Sequence, residues 1–234
     1  MIVGNKFYHL TEIDSTNEYV KQMMRDVPEG TVVLADIQTR GKGRTGRDWH
    51  SPEGGLWMSV LLYHHQSYLV SLLAGVTICE TLELYEITPG IKWPNDILLN
   101  GKKIAGILCE VIDEKVVLGI GLNLNIRHFP DDLLSKATSV FMETRKHLDL
   151  HTVYHQLRAF LDANYKLLQD KEIDALLTKW RKYSIMLDRD VTIELPDRVI
   201  VGKVLDVDHQ GGLVLMRADH GIEHVIAGNC RLLS

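Results

Sequence analysis

The stretch TRGKGRTGRDWHSPEGG, residues 39–55, holds three glycines and four basic residues ahead of a tryptophan. Gly41 to Gly46 matches the GxGxxG spacing of dinucleotide-binding turns, and the strand-like segment 31–39 precedes it. A dinucleotide fold needs a helix that opens at the third glycine, but Pro52, two more glycines and another strand-like segment follow instead. The stretch therefore excludes a Rossmann fold and predicts a loop between two strands.

Two other phosphate-binding motifs are also excluded. Arg47-Asp48 stands where a P-loop has Lys followed by Ser or Thr, and the HRD and DFG motifs of protein kinases are missing. The loop still has the features of an anion-binding site, because glycines let backbone N–H groups approach an anion while Lys42 and Arg44 supply positive charge. Trp49 offers an aromatic face for a purine. A solvated hairpin with incidental charges is the alternative, but the density of glycine and arginine favours an anion site.

The bulk composition limits the classes of partner and compartment. The chain has 234 residues, 45% of them hydrophobic, and a net charge of −5, which suits one or two globular domains and disfavours a broad nucleic-acid or membrane surface. No apolar run is long enough to span a bilayer, and the first residues lack a signal-peptide pattern. Cys79, Cys109 and Cys230 are odd in number, far apart and without a CxxC motif. We therefore expect a reducing, cytoplasmic setting without structural disulfides.

Strand-like and helix-like patterns alternate through the first two thirds of the chain. Ser15 and Glu18 have the spacing of a capping box at the start of the first helix, and Gly101 marks a hairpin turn. The predicted strands are 7–13, 31–39, 56–63, the two arms of the hairpin and 115–125, and the predicted helical patterns begin at Ser15 and cover 68–86 and 151–182.

The pattern of hydrophobic and turn-forming residues changes after Ser184. Short alternating segments separated by PD, GG and HG turns predict a small, five-stranded, barrel-like unit. We therefore predict an α/β chain of two domains, residues 1–184 with a mixed sheet and helices, and residues 185–234 with only strands.

Other polar positions are candidates for the same site. Lys103 begins a strand in which Ala105 and Gly106 leave room for a close neighbour, although a hairpin with exposed lysines explains the pattern equally well. Glycines inside the strand GIGLNLN (119–125) imply the close approach of a ligand or another backbone, and Asn123 is a candidate to read a base edge. Ser15, Thr16 and Asn17 are explained by a helix start alone, although the N–H groups and hydroxyls there also suit a polar ligand.

The sequence offers no dedicated metal motif. His151 and His155 are spaced i,i+4, but no Glu lies between them as in HExxH and no third ligand is signalled, so an exposed pair is predicted. No Ser/His/Asp or Cys/His spacing indicates a nucleophile with its base.

Together, GKGRTGRDW, KWPNDILLNGKKIAGILCE and GIGLNLN, in this order and over most of residues 9–125, resemble the biotin protein ligases. The resemblance implies a catalytic domain related to class II aminoacyl-tRNA synthetases and lipoate ligases, followed by an SH3-like barrel. It is greatest for the monofunctional members, because no helix-turn-helix pattern precedes the first strand. The implied reaction joins biotin and ATP into biotinyl-5′-AMP with release of pyrophosphate, and then transfers biotin to a lysine of a biotin carboxyl carrier protein.

The resemblance also implies roles for individual residues, carried over position by position. The catalytic group comprises Arg44, Lys103 and the acid Asp96, which would meet the incoming lysine. The implied biotin contacts are Ser15, Thr16, Asn17, Gln38, Gly41, Gly43, Arg44, Lys103 and Gly106. The implied ATP and adenylate contacts are Lys42, Arg47, Trp49 and Asn123, with Mg²⁺ arriving on ATP.

One position departs from the pattern of the family. Many members read GRGR, whereas this chain has Lys42 at the first arginine, which keeps the charge but loses the guanidinium fork. The resemblance further implies a homodimer. A lipoate ligase, a non-catalytic biotin or nucleotide sensor and a DNA-binding repressor remain as alternatives, the last disfavoured by the net negative charge.

Overall fold

A computed structural model describes residues 1–233 of the chain. Its larger sheet has seven strands in the spatial order β1-β2-β3-β7-β6-β5-β4. Only β1 and β2 pair in parallel, and every other ladder of this sheet is antiparallel. The seven strands are β1 (Phe7–Ile13), β2 (Val32–Gln38), β3 (Leu56–Leu62), β4 (Gly90–Lys92), β5 (Asp96–Leu99), β6 (Lys102–Ile112) and β7 (Lys115–Leu122). The prediction of a mixed sheet with helices is confirmed.

Helices cover both faces of this sheet. α2 (Ser67–Glu83) is apolar on nearly all sides and is buried in the main core, where it packs against β6 and two later helices. The shorter α1 (Thr16–Met23) lies on the opposite face, where Val20 and Met24 pack against Leu61 and Val117. Since α1 is the crossover between the parallel strands β1 and β2, its first turn begins where β1 ends.

The capping box predicted at the start of α1 does not form. Ser15 is the N-cap residue, but its side chain makes no capping hydrogen bond. The Glu18 carboxylate accepts hydrogen bonds from Lys21 and Lys42 and does not cap the helix. The Glu18 carboxylate thus accepts hydrogen bonds from two lysine ammonium groups instead of from the backbone N–H at the start of the helix.

The helical pattern predicted over residues 151–182 is divided into two helices. α4 (Leu150–Gln169) and α5 (Ile173–Tyr183) are separated by a short turn in which Lys171 has a φ of 60°. Neither Gly nor Pro occurs in this turn, so the periodicity continues through it without a visible break. A further short helix, α3 (Val140–Thr144), lies earlier in the chain.

The hairpin predicted at Gly101 is confirmed. Asn100 and Gly101 both have positive φ, 50° and 80°, as a type I′ turn between β5 and β6 requires. This turn and the antiparallel β6–β7 ladder bring the end of β7 beside the middle of β6.

Residues 190–232 form a second, five-stranded antiparallel sheet. Its order is β11-β10-β9-β8-β12, which agrees with the predicted number and length of strands. Trp93 donates from Nε1 to Gly211 O at 2.9 Å, and the apolar core runs without interruption from α2 into this sheet. The strands are β8 (Asp190–Glu194), β9 (Val199–Val207), β10 (Leu213–Met216), β11 (Ile222–Val225) and β12 (Asn229–Leu232).

Within the described residues 1–233, none of the helices combines the length and the apolar character that crossing a membrane requires.

Candidate active site

The basic loop is an ordered hairpin. Lys42 and Asp48 form an antiparallel bridge, and Trp49 N donates to Gly41 O at 2.8 Å. The tip is a single 3₁₀ turn in which Thr45 and Gly46 have φ values of 56° and 73°. Residues 41–49, which we call the basic hairpin, therefore extend from the end of β2 as a defined structure that covers the sheet.

A buried polar network lies under the basic hairpin. Thr16 donates to Gln38 Oε1 from both its backbone N, at 2.9 Å, and its hydroxyl, at 3.0 Å. Gln38 Nε2 in turn donates to Ser51 Oγ at 2.9 Å. The network therefore ties the first turn of α1 to the end of β2 and to the segment that follows the hairpin.

Ser59 on β3 completes this network from below. Its fully buried Oγ lies 2.7 Å from Thr16 Oγ1 and 2.5 Å from Asn17 Oδ1. Asn17 Nδ2 donates to Glu110 Oε2 at 2.8 Å, so both ends of the Asn17 amide are fixed. A Cβ at Gly119 would lie on the Asn17 side chain, which explains the glycine at this point of β7.

The Trp49 indole rests on the backbone of two strands. Gly106 on β6 and Gly121 on β7 are direct partners across the ladder, and a Cβ on either would collide with the indole. Lys103 Nζ lies 4.9 Å from the ring centroid, within range of a cation–π interaction. The two glycines thus make the recess that the tryptophan fills.

Opposite charges meet beside this tryptophan. Lys103 Nζ is 2.6 Å from Asp96 Oδ1, and both side chains are about one quarter exposed. Arg44 Nη1 donates to Asn95 Oδ1 at 2.8 Å, which holds the guanidinium over the same region. A cation pair with partly satisfied hydrogen-bonding capacity suits an anion that arrives from solvent.

Two adjoining cavities share this cationic centre. The narrower one, about 50 Å³, is lined by Thr16, Asn17 and Gln38 of the polar network together with Lys42, Arg44, Trp49, Lys103 and Gly106. The wider one, about 660 Å³, is bordered by Arg47, Asp96 and Asn123 and by residues of the five-stranded sheet. Arg44, Trp49, Asn95 and Lys103 belong to both cavities, so a ligand with two different ends could place its junction there.

Asn123 carries an unpaired acceptor in the wider cavity. Its side chain is 2% exposed, and Nδ2 donates to Thr138 O at 3.0 Å. Its buried Oδ1 has no partner among the described residues. A buried amide oxygen without a donor is costly, so it marks a place for a ligand that donates a hydrogen bond.

The structure brings most of the predicted site residues together, with two differences in position. Gly41 lies behind the pocket, where a Cβ would be 2.5 Å from Ser51 Oγ, so this glycine shapes the hairpin base. Lys42, predicted on the ATP side, lines the narrower cavity and pairs with Glu18 at 2.7 Å. The remaining predicted residues line one cavity or both.

Several residues of the site are missing from the sequence prediction. Ser59 is the only polar residue in LWMSVLL, which is a usable signal for a buried hydroxyl. Asn95 lies within the motif KWPND, but nothing in the motif distinguishes it, whereas Gly121 is one of the glycines in GIGLNLN for which close approach of another group is expected. Glu110 gave no signal, because its partner Asn17 is 93 residues away in the sequence.

The chemistry available is charge stabilisation rather than nucleophilic catalysis. Burial raises the pKa of the Cys109 thiol well above its ordinary value, so it stays protonated at neutral pH. Within residues 1–233, no three His, Cys, Asp or Glu side chains are gathered as for a metal ion. The pair His151 and His155 lies on the surface of α4, as predicted.

Removing the Ser59 hydroxyl is expected to weaken the polar network. Ser59→Ala leaves Asn17 Oδ1 without its partner in a fully buried position, and should lower the free energy of unfolding by about 1–3 kcal/mol. Urea denaturation measures this loss. Ser71→Ala is the matched control, because the Ser71 hydroxyl makes one hydrogen bond, to Pro94 O, and its loss should cost less. Equal costs for the two variants would contradict the network.

Comparison with known proteins gives consistent matches over nearly the whole chain. The model of the biotin/lipoate A/B protein ligase family matches residues 10–126, and that of the biotin protein ligase C terminal domain matches residues 186–233. The bifunctional ligase/repressor BirA of Bacillus subtilis is 31% identical, over 99% of this chain and 75% of that protein. The biotin–[acetyl-CoA-carboxylase] ligase of Mycobacterium tuberculosis is 33% identical over 80% of this chain and 73% of that protein.

Solved structures agree with these matches. The biotin protein ligase from Aquifex aeolicus, in complex with biotin and ATP, superposes with a TM-score of 0.89 and 32% identity, covering 98% of this chain and 99% of the other.

Proposed function

This chain belongs to the biotin/lipoate A/B protein ligase family, and we propose that it is a biotin protein ligase that forms biotinyl-5′-AMP and transfers biotin to a lysine of a biotin carboxyl carrier protein. The observation that carries the proposal is the pair of cavities that meet at Arg44, Trp49 and Lys103. Biotin would occupy the narrower cavity, which must widen from about 50 Å³ to hold it, and ATP the wider one. The biotin carboxylate and the α-phosphate would then meet at the shared cations.

The first half-reaction requires placement and charge neutralisation. The carboxylate oxygen of biotin attacks the α-phosphorus, the bond to the β-phosphate breaks, and pyrophosphate leaves. A carboxylate is already ionised at neutral pH, so the step needs no general base. Lys103 and Arg44 would offset the negative charge that accumulates where the two anions meet. This role suits their position between the cavities.

The polar network under the basic hairpin would bind the head of biotin. Its ureido ring offers both N–H donors and a carbonyl acceptor, and Thr16, Asn17 and Gln38 present hydroxyl and amide groups of both kinds. Ser15, Gly43 and Gly106 line the same cavity and would contact the remainder of the molecule. Because the network is already tied together by hydrogen bonds, these groups are held in place before biotin arrives.

The wider cavity would bind the nucleotide. Arg47 lies at its border and is exposed, in a position to contact phosphate oxygens. Trp49 would contribute the edge of its indole, since Gly106 and Gly121 cover part of the ring. The unpaired Asn123 Oδ1 would accept a hydrogen bond from the exocyclic amino group of adenine.

Mg²⁺ would arrive bound to ATP and contribute charge neutralisation at the phosphates. Since no cluster of three ligating side chains exists in the described part of the chain, the residues suit a cation held mainly by phosphates and water.

The second half-reaction requires an amine. The Nζ of the acceptor lysine attacks the carbonyl carbon of the adenylate, the bond to the phosphate oxygen breaks, and AMP leaves. A free lysine has a pKa near 10.4, so a proton must be removed. Asp96, at the border of the wider cavity, would orient the ammonium and accept this proton directly or through water.

We also propose a domain boundary, an oligomeric state and a compartment for this protein. We assign residues 1–184 to the catalytic domain and 185–234 to the SH3-like domain, on the change from α5 to short strands after Tyr183. We also propose a homodimer, which the family resemblance supports, and a reducing cytoplasm, which is supported by three free cysteines, two of them buried. Sedimentation velocity at several concentrations tests the dimer. The net charge of −5 disfavours a nucleic-acid partner.

Pyrophosphate exchange tests the proposed activity. Purified protein is given ATP and labelled pyrophosphate with biotin, lipoate or octanoate in separate reactions. Of the three acids, only biotin should support exchange of labelled pyrophosphate into ATP. Exchange with lipoate but not biotin would identify a lipoate ligase, and absence of exchange with all three acids would leave the chain as a sensor without catalytic activity.

Loss of the Asn123 acceptor is expected to reduce base selectivity. Wild-type protein should use ATP in preference to ITP, whose ring has a carbonyl in place of the amino group. Asn123→Leu should raise the KM for ATP by roughly 10- to 100-fold, the cost of one buried hydrogen bond, and bring ATP and ITP close to parity. Thermal unfolding confirms that the variant is folded. An unchanged preference for ATP would exclude Asn123 as the adenine contact.

A further inference from the structure

A chain of ion pairs connects the basic hairpin to α1 and β6. Lys42 Nζ lies 2.7 Å from Glu18 Oε1, and Lys21 Nζ lies 2.8 Å from the same oxygen. Lys21 also lies 2.6 Å from Glu110 Oε1, and Glu110 holds Asn17. Two carboxylates and two ammonium groups therefore alternate from the hairpin to the polar network.

Of the four charged residues in this series of ion pairs, only Lys42 belongs to the basic hairpin. The Glu18 carboxylate is less exposed than Lys42, 28% against 48%, and it is fixed on α1 by Lys21. Hydrogen bonds from Lys21 and Lys42 lower the pKa of Glu18, so the carboxylate is charged at neutral pH. Burial acts to lower the pKa of Lys21, but its bonds to Glu110 and Glu18 outweigh this and raise it. The anchor on α1 thus remains ionised and in place.

The arrangement permits release of the hairpin without leaving an unpaired buried charge. If Lys42 moves away, Glu18 keeps Lys21, and Lys42 enters solvent. Breaking a buried pair normally leaves one charge without a partner and is strongly unfavourable. Here the contact resembles an exposed ion pair, which is weak and reversible. Such a contact suits a segment that must close and open in each cycle.

The second polar side-chain contact between hairpin and body has a different character. Arg44 reaches Asn95 on the opposite side of the hairpin, but Arg44 lines both cavities and would be engaged by substrate. Glu18 lines neither cavity, so substrate does not compete for the carboxylate that holds Lys42.

We propose that Glu18 is a positioning residue that holds Lys42, keeps the basic hairpin seated over the pocket, and so retains the adenylate between the two half-reactions. This inference rests on the proposed ligase function. It assigns Lys42 an indirect role, in place of a direct contact with ATP. A hydrolysis-prone acyl phosphate is protected as long as the hairpin excludes water.

The test measures release of preformed adenylate. Enzyme is loaded with ATP and labelled biotin, freed of excess substrate, and chased with unlabelled biotin without acceptor. Glu18→Gln and Lys42→Gln should each speed the loss of label roughly fivefold, the effect of one weak ion pair. The double variant should be no faster than either single one. For Glu18→Gln, whose parent side chain lines neither cavity, the rate of pyrophosphate exchange at saturating substrates should change less than twofold.

Two further variants separate this role from a structural one. Lys42→Arg keeps the charge and should retain the adenylate as the wild type does. Lys146→Gln removes a lysine of similar exposure from the remote pair with Glu86 and should leave release unchanged. Wild-type release should also accelerate with added salt, whereas release from Glu18→Gln should not.

The outcomes discriminate between the two proposals. Wild-type retention by Glu18→Gln, or additive effects in the double variant, would overturn the role of Glu18 while leaving the ligase function intact. Failure of the wild type to form any labelled adenylate would instead overturn the ligase proposal itself.

Discussion

Lys103→Ala is expected to lower the rate of biotin-dependent pyrophosphate exchange by roughly 10²–10³-fold, the usual effect of removing a group that stabilises developing charge. The Lys103 ammonium lies 2.6 Å from Asp96 and over the Trp49 ring, between the two cavities. In the proposed reaction it faces both the carboxylate and the α-phosphate, whose mutual repulsion would otherwise oppose their approach. The measurement is exchange at saturating ATP and biotin.

The neighbouring lysine provides a matched control. Lys102 precedes Lys103 on β6, but its Nζ donates to Leu134 O and it lines neither cavity of the site. Lys102→Ala should exchange pyrophosphate at close to the wild-type rate. The two variants should also unfold at similar temperatures, because both lysines are partly exposed. If Lys103→Ala were as active as Lys102→Ala, the assignment of Lys103 to the first half-reaction would be wrong.

Asp96→Asn is expected to slow transfer far more than adenylation. Asparagine keeps the shape and the hydrogen-bonding reach of the side chain but does not accept a proton at neutral pH. Loss of a general base typically costs 10²–10⁴-fold, so single-turnover transfer from preformed adenylate to the carrier protein should fall by about 10²-fold or more. Pyrophosphate exchange should fall less than tenfold, since only the electrostatic partner of Lys103 has changed.

Asp48 offers a comparison for this variant. It borders the same wide cavity, lies on the exposed part of the basic hairpin and makes no ion pair within residues 1–233. Asp48→Asn should leave both half-reactions near their wild-type rates. A uniform loss of both half-reactions in Asp96→Asn would reassign Asp96 to the support of Lys103 alone. A rise in pH should partly rescue the transfer step in Asp96→Asn, because more of the acceptor amine is then neutral.

Much of the fold could be predicted because its signals are local. Strand alternation, the Asn100-Gly101 turn and the apolar pattern of α2 each depend on residues that are close in sequence. The division of the last long helical pattern at Lys171 could not be predicted, since it occurs without Gly or Pro. The strand order of the large sheet depends on pairings such as β3 with β7, which no local pattern specifies.

The site shows the same division between local and non-local information. Gly106 and Gly121 are each visible as glycines inside strands, but their shared role under Trp49 follows from the register of β6 against β7. The capping-box spacing predicts the wrong role for Glu18, because its partner Lys42 is 24 residues away in the sequence. Charge partners from distant segments carry no periodicity, so the network between α1, β6 and the hairpin becomes visible only in three dimensions.

The position of Trp49 has a consequence for the resting enzyme. The indole is carried by the basic hairpin, and it rests on bare strand backbone at Gly106 and Gly121. Any outward excursion of the hairpin would wet both the ring and this backbone, and water disfavours such exposure of apolar area. The loss of apolar burial would therefore favour return of the hairpin to the sheet even before substrate arrives. In the empty enzyme the hairpin would be closed most of the time.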